Sequence, residues 1–386
     1  MTRRDVLVRA GVGAALAAAV GGGDQAAIGS QTASAGSPAS SPQPSIPPEP
    51  AIPPGVVTLE DFEALAKQRL SALAFESVRN GAADEITMRW NREAFNRIAL
   101  RPRVLIDVSH LDTRLTLFGQ NLVCPILLAP AGVHGQMHQE AELATARGAS
   151  KAGALLVIPS YTTKPVEEIV RAATPTPWFQ IYISTDRGKV REQAQRAEAA
   201  GCKVMIATVD GVAPGVRNAM MRPPFAPVAT PGELRSILDA SLSWKDIAWL
   251  KSFLRIPVVV KGIIDPRDAE RAVAEGVDGI SVSNHGGRTL DTAAATIDAL
   301  PAVAEKVAGR IPVLMDGGVR RGTDVLKAIA RGASAVMIGR PFLWGLGAAG
   351  AEGVERVVTI LRQEFEMAMA LTGRASLAAI DKSVLW

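Results

Sequence analysis

Eight short apolar runs, each ending in small or polar residues, recur at 124–130, 155–160, 178–183, 204–210, 257–262, 279–284, 312–317 and 335–340. Brief apolar stretches bounded by turn residues read as buried strands. Between most of them lie Ala/Glu/Arg-rich segments of helical periodicity, at 140–152, 187–200, 266–275, 292–307 and 323–331, commonly followed by a glycine. Eight strands alternating with helices predict an α/β chain closed into a parallel (β/α)8 TIM barrel. An open doubly wound sheet is the alternative. It lacks the early G-x-G-x-x-G turn that would cradle a dinucleotide.

Elements are added before the barrel. Apolar residues at helical spacing predict a helix from Thr58 to about Phe75, with Thr58-Leu59-Glu60-Asp61 as its N-cap. A second helical stretch runs from Thr87 to Phe95, and the alternation over 104–118 predicts a short strand pair. The segment 211–256, after the fourth run, predicts an extended loop beside the site, rich enough in Pro and Gly to serve as a lid.

Composition narrows the partners. The formal net charge is only +4, and no Lys/Arg block is interleaved with aromatics, which sets aside nucleic acid and a membrane surface. Cys124 and Cys202 sit in or beside apolar runs and read as two buried thiols. His134 and His138 are four residues apart, but no third ligand accompanies them and the motif H-E-x-x-H is absent, so no metal is expected. At the N-terminus, Arg3-Arg4 precedes a mild apolar run and then Ala33 and Ala35, resembling a twin-arginine export signal cleaved after Ala35. A chance arginine pair in a tail is the alternative. Residues 1–35 are read as the signal, 36–55 as a Pro/Ser-rich linker, and 56–386 as the barrel with its N-terminal helical extension.

In a barrel the loops after the strands share one face and build the site, so the residues that end each run converge. They are Ala131 and Gly132, then Ser160, Gln180 and Tyr182, Thr208 and Asp210, Lys261, and Ser283, His285 and Arg288. The last two runs deliver Asp316, Gly318 and Arg320, then Gly339 and Arg340. Glycine-freed amides beside two guanidinium groups, at the place where barrels commonly hold a phosphate, imply a phosphorylated ligand. In Asn284-His285-Gly286-Gly287-Arg288 an imidazole can take a proton while a guanidinium fork holds a carboxylate.

The motifs SNHGGRTLD, VVKGI, WFQIY, TVD, MDGGVRRGTDVLKA and IGRPFLWGL resemble the FMN-dependent α-hydroxy acid oxidase and dehydrogenase family from Thr58 to the C-terminus. That family includes glycolate oxidase, lactate oxidase, lactate monooxygenase and mandelate dehydrogenase. The resemblance implies FMN held by Asp316, Gly318, Arg320, Gly339 and Arg340. Gln180, Thr208 and Ser283 would meet the isoalloxazine edge, Lys261 would sit near N1 and O2, and Ala131 and Gly132 would pass beneath N5. It implies oxidation of an L-2-hydroxy acid to the 2-keto acid. His285 would remove the hydroxyl proton as hydride leaves the α-carbon for flavin N5, or the α-proton in a carbanion scheme. Asp210 would stabilise the imidazolium, Arg288 and Arg217 would grip the carboxylate, and Tyr182 would hydrogen-bond the substrate oxygen. Oxygen, a quinone or a cytochrome would take the electrons, and a homotetramer is implied.

The chain departs from the family in places. Ser77 stands where a substrate-binding Tyr is usual, which would disfavour small lactate-like acids and admit larger ones. Pro159 replaces a Ser or Thr near the flavin, so that contact passes to Ser160 or is lost. Gly132 leans toward the lactate monooxygenase branch. The rival functions are an FMN barrel acting on a peptide or modified natural product, and a flavin-binding electron-transfer module without turnover.

Overall fold

Thr58 caps the first helix, α1 (Leu59–Arg69), through the reciprocal bonds of a capping box: Asp61 N–H to its hydroxyl at 3.2 Å and Thr58 N–H to Asp61 Oδ2 at 2.7 Å. The helix expected to reach Phe75 instead breaks at Leu70, whose backbone is extended, and Ser71 caps a separate helix, α2 (Ala72–Arg79). Then α3 (Ile86–Asn96) follows a tight turn. The computed structural model describes residues 50–225 and 238–386. The export signal expected over 1–35 lies outside the described residues, as does nearly all of the 36–55 linker.

The strand pair expected over 104–118 is displaced. Val104 and Leu105 are exposed coil, and the antiparallel pair is β1 (Leu115–Leu117) with β2 (Gln120–Leu122). Alternation alone could not place it, because the apolar residues that matter are those that plug the barrel floor. Phe118 meets Trp178 edge-on with ring centroids 5.3 Å apart, and the Trp178 indole N–H donates to Gln120 Oε1 at 2.6 Å.

All eight predicted strands form: β3 (Ile126–Leu128), β4 (Leu155–Ile158), β5 (Trp178–Tyr182), β6 (Met205–Thr208), β7 (Val258–Ile263), β8 (Gly279–Val282), β9 (Val313–Asp316) and β10 (Ala335–Ile338). Every neighbouring pair is parallel, and β10 pairs with β3 to close the barrel. A closed sheet leaves no free edge. The intervening helices fall close to prediction, but the one expected from residue 292 begins at Thr296, because Thr292 has φ +61° and cannot continue a helix.

Successive strand side chains face opposite ways, so every second residue enters the barrel. Leu127, Leu155, Val157, Trp178, Val204, Ile206, Val259, Leu314 and Met337 fill its lower layers as one buried cluster. Continued upward on the same strands, that inward register yields Gln180, Thr208, Lys261, Ser283 and Asp316, all buried. The interior therefore changes from apolar to polar at the C-terminal ends of the strands, and this positions the site. Cys124 and Cys202 are buried and unpaired, their thiols pushed up by burial to about 11 and about 12.

Candidate active site

Lys261 donates to Ser283 Oγ at 2.9 Å, Ser283 Oγ donates to Asp316 Oδ1 at 2.8 Å, and the His285 N–H donates back to Ser283 Oγ at 3.1 Å. One buried hydroxyl thus ties three strand ends together. Gln180 sits across the barrel mouth, its amide donating to Thr208 Oγ1 at 2.9 Å and accepting from the Ser160 N–H at 3.1 Å. The Ser160 hydroxyl joins two strands, donating to the Gln180 carbonyl at 2.8 Å and accepting from the Tyr182 N–H at 3.2 Å. At position 159 the buried proline offers no hydroxyl.

His285 follows β8 in the left-handed region (φ +56°), which throws its ring over the strand ends. Its Nδ1 lies 2.9 Å from Asp210 Oδ1, and its Nε2 lies 3.3 Å from the Tyr182 hydroxyl. Tyr182 stacks on His285 on one side and on Tyr161 on the other. Asp210 reaches the imidazole because β7 bulges between Lys261 and Ile263: Gly262 has φ +118°, and a Cβ there would strike Asp210. Burial pushes the Asp210 carboxyl up, but the His285 and Lys261 charges and the His285 hydrogen bond outweigh it, holding it below its usual range. Burial and the Asp210 charge both push the Tyr182 phenol up, so it stays a proton donor.

Three guanidinium groups gather on the end of α2. Arg288 donates to the carbonyls of Val78 (3.0 Å), Asn80 (2.8 Å) and Ser77 (3.0 Å). Arg340 donates to those of Val78 (3.1 Å), Gly286 (2.9 Å) and Asn80 (3.1 Å). Arg217, on the loop after β6, donates to Asn80 Oδ1 at 2.7 Å. That loop folds over the site: Ala83 N–H donates to the Val216 carbonyl, and a Cβ on Gly215 would strike the carbonyls of Arg288 and Thr289. Arg320 lies over the Trp344 ring, 5.0 Å from its centroid. Among the described residues no carboxylate forms an ion pair with any of these four arginines. Burial lowers Arg217 and Arg320 to about 10 and Arg340 to about 9; repulsion within the group contributes at Arg288 and Arg340, and repulsion from Arg92 at Arg320. Glu63 acts on Arg320 and Arg340 only beyond ion-pair distance, so the cluster keeps an excess of positive charge that suits anions.

The residues present fit FMN. Asp316 Oδ2 is buried without a hydrogen-bond partner, as an acceptor for a ribityl hydroxyl would be. A Cβ built on Gly132 or Gly339 would meet nothing nearer than 4.0 Å, leaving open cradles above β3 and β10. Arg320 and Arg340 would be the cations for its phosphate, and Gly318, at φ +89°, is pressed so closely on the Asn91 carbonyl that no side chain fits there.

Two asparagines complete the frame, and sequence reading gives them no role. Asn91 of α3 and Asn284 exchange reciprocal amide bonds of 2.9 and 2.8 Å across 193 residues, and Asn284 Oδ1 also accepts the Gly287 N–H at 3.1 Å. This pair fixes the turn that carries His285. Asn80 receives the arginines. Ser77 gives its hydroxyl back to the Ala74 carbonyl at 2.7 Å, so it offers nothing to a substrate. His134 and His138 have structural partners, the Thr145 hydroxyl at 3.1 Å and the Glu140 N–H at 3.2 Å.

The model of the FMN-dependent dehydrogenase family matches residues 66–386. Glycolate oxidase of Spinacia oleracea is 42% identical over 350 residues, covering 85% of this chain and 95% of that relative. L-lactate oxidase of a Nostoc species is 43% identical over 356 residues, covering 85% and 98%. Among solved structures, mandelate oxidase with (S)-4-hydroxymandelic acid superposes with a TM-score of 0.81 at 35% identity, covering 86% of this chain and 98% of that one. With the family model matching residues 66–386, relatives above 40% identical over 85% of the chain and a superposable barrel, the chain belongs to the FMN-dependent dehydrogenase family.

Proposed function

We propose that the chain oxidises an L-2-hydroxy acid to the corresponding 2-keto acid, with oxygen as the acceptor that re-oxidises the flavin. The observation that carries this reading is the placing of a histidine base beside arginines that lack anionic partners. FMN, when bound, supplies a two-electron acceptor for the hydrogen leaving the α-carbon. Arg320 and Arg340, with the backbone of Gly318 and Gly339, would hold its phosphate, and Asp316 would accept from its ribityl chain. Lys261 would serve the pyrimidine side of the ring, where a fixed cation favours added negative charge. Gln180, Thr208, Ser283 and Ser160 would border the ring, with the backbone of Ala131 and Gly132 against its central part.

Asp210 accepts from Nδ1–H of His285 and so fixes the tautomer that leaves Nε2 free to take the substrate hydroxyl proton. The imidazolium then formed is stabilised by the same carboxylate. The Tyr182 hydroxyl, already against Nε2, donates to the substrate oxygen and orients it. Arg288 and Arg217 bind the carboxylate. Because Ser77 contributes no hydroxyl, the clamp relies on the arginines, and acids with larger side chains are favoured over lactate.

Anaerobic addition of a panel of L-2-hydroxy acids from lactate to mandelate tests this directly. The visible flavin band is expected to bleach with at least one acid and to return in air with release of hydrogen peroxide. A band that persists with every acid overturns the reading, and bleaching that reverses only with a quinone or cytochrome overturns the oxygen assignment.

We further propose export through the twin-arginine signal in residues 1–35 and assembly as a homotetramer. A folded barrel must receive FMN before crossing a membrane, which suits that route. Replacing both Arg3 and Arg4 with Lys is expected to retain the full-length chain inside the cell, seen by fractionation; continued export rejects the signal.

A further inference from the structure

We propose that Asn80 is the positioning residue of the carboxylate clamp: its side-chain oxygen aims Arg217 while its neutrality leaves the charge of Arg217 free for substrate. The proposal rests on the reading that Arg217 and Arg288 bind the substrate carboxylate.

Asn80 ends α2 and is only 1% exposed. Its amide orientation is dictated by its neighbours. Oδ1 faces Arg217 Nη1, which can only donate, and Nδ2 faces the Glu76 carbonyl, which can only accept. Its own carbonyl accepts from Arg288 at 2.8 Å and Arg340 at 3.1 Å, so one residue touches three guanidinium groups. The two kinds of contact separate by mutation. Any residue at 80 keeps the carbonyl, whereas only the side chain holds Arg217. Arg217 precedes the four-residue helix Asn218–Met221 as its N-cap and forms no ion pair among the described residues, so this bond restrains its head group. An aspartate would hold the guanidinium equally well, but it would neutralise the charge that the substrate carboxylate needs.

The test uses the FMN-loaded enzyme and oxalate, a carboxylate it cannot oxidise, titrated through the visible spectrum, alongside KM and kcat for the best acid of the panel. Asn80→Ala is expected to raise the oxalate Kd and KM about tenfold, with kcat changed less than about threefold and FMN content intact, since binding common to ground and transition states sets KM. Asn80→Asp is expected to weaken oxalate at least as much while FMN content holds, because the new carboxylate pairs with the Arg217 head group and cancels its charge. Unchanged oxalate binding in either folded variant overturns the proposal. So does loss of bound FMN together with oxalate binding in Asn80→Asp, the mark of a merely structural role. Should Asn80→Ala not fold, Asn80→Asp alone decides. Arg217→Lys separates the underlying reading: if it leaves oxalate and KM untouched, Arg217 is not a carboxylate ligand, and the fault lies there.

Discussion

His285→Asn is expected to lower kcat about a thousandfold while FMN stays bound. A positioned general base contributes roughly 10²–10⁴ in rate, and nothing else within reach can replace it. Tyr182 is held protonated, and the Asp210 carboxylate faces Nδ1, on the far side of the ring from Nε2. Asparagine is the informative replacement because position 285 has φ +56°, a conformation that Asn tolerates better than Ala. His285→Ala would mix loss of the base with backbone strain. The flavin band should survive, since the ties among Lys261, Ser283 and Asp316 do not involve the imidazole ring. Stopped-flow reduction by the best substrate reads the effect, and full-rate reduction would remove His285 from the mechanism. Asp210→Asn should cost about a hundredfold, by offering an amide donor to Nδ1 and so favouring the wrong tautomer.

The barrel was legible because each strand carries its own signal. A run such as Trp178–Tyr182 is apolar on both faces until its inward register reaches Gln180 and Tyr182, and the polar end announces which end of the barrel holds the site. Convergence of His285, Asp210 and Tyr182 then follows from closure alone, since β8, β6 and β5 deliver them to one face. What stayed hidden depends on contacts that no local pattern encodes. The break at Leu70 interrupts apolar spacing that continues on both sides of it, and only the extended backbone at Leu70 and the Ser71 cap reveal it. The exposed Val104 and Leu105 alternate convincingly but find no partner strand. Asn91 acquires its role from Asn284, 193 residues away, and Asn80 from being where a helix stops. At that helix end the important acceptors are main-chain carbonyls, which the sequence does not distinguish.

Arg288→Lys is expected to reduce kcat/KM by about two to three orders of magnitude although the charge is kept. A guanidinium has five N–H donors, and here three are committed to protein: both Nη1 hydrogens to the Val78 and Asn80 carbonyls and one Nη2 hydrogen to that of Ser77. The two that remain, on Nε and Nη2, lie along one edge of the plane and match the two oxygens of a carboxylate. The end of α2 therefore does more than neutralise. By occupying three donors it leaves a single edge open, which sets the direction from which a hydroxy acid is held against His285. A lysine brings only three donors to the same three carbonyls. To bind substrate it must release at least one of them, at a cost of about 1–3 kcal/mol for the stranded group, and it still cannot form two parallel bonds. Loss of two charge-assisted bonds at roughly 1.5–3 kcal/mol each, partly recovered by one ammonium contact, gives the stated range. Most of it should fall on KM, because the carboxylate is held alike before and during the chemical step. Steady-state kinetics with the best substrate checks this. A KM near that of the unaltered enzyme would place the carboxylate elsewhere, and an equal fall in kcat would mean that the open edge of Arg288 acts on the reacting carbon rather than on its anchor.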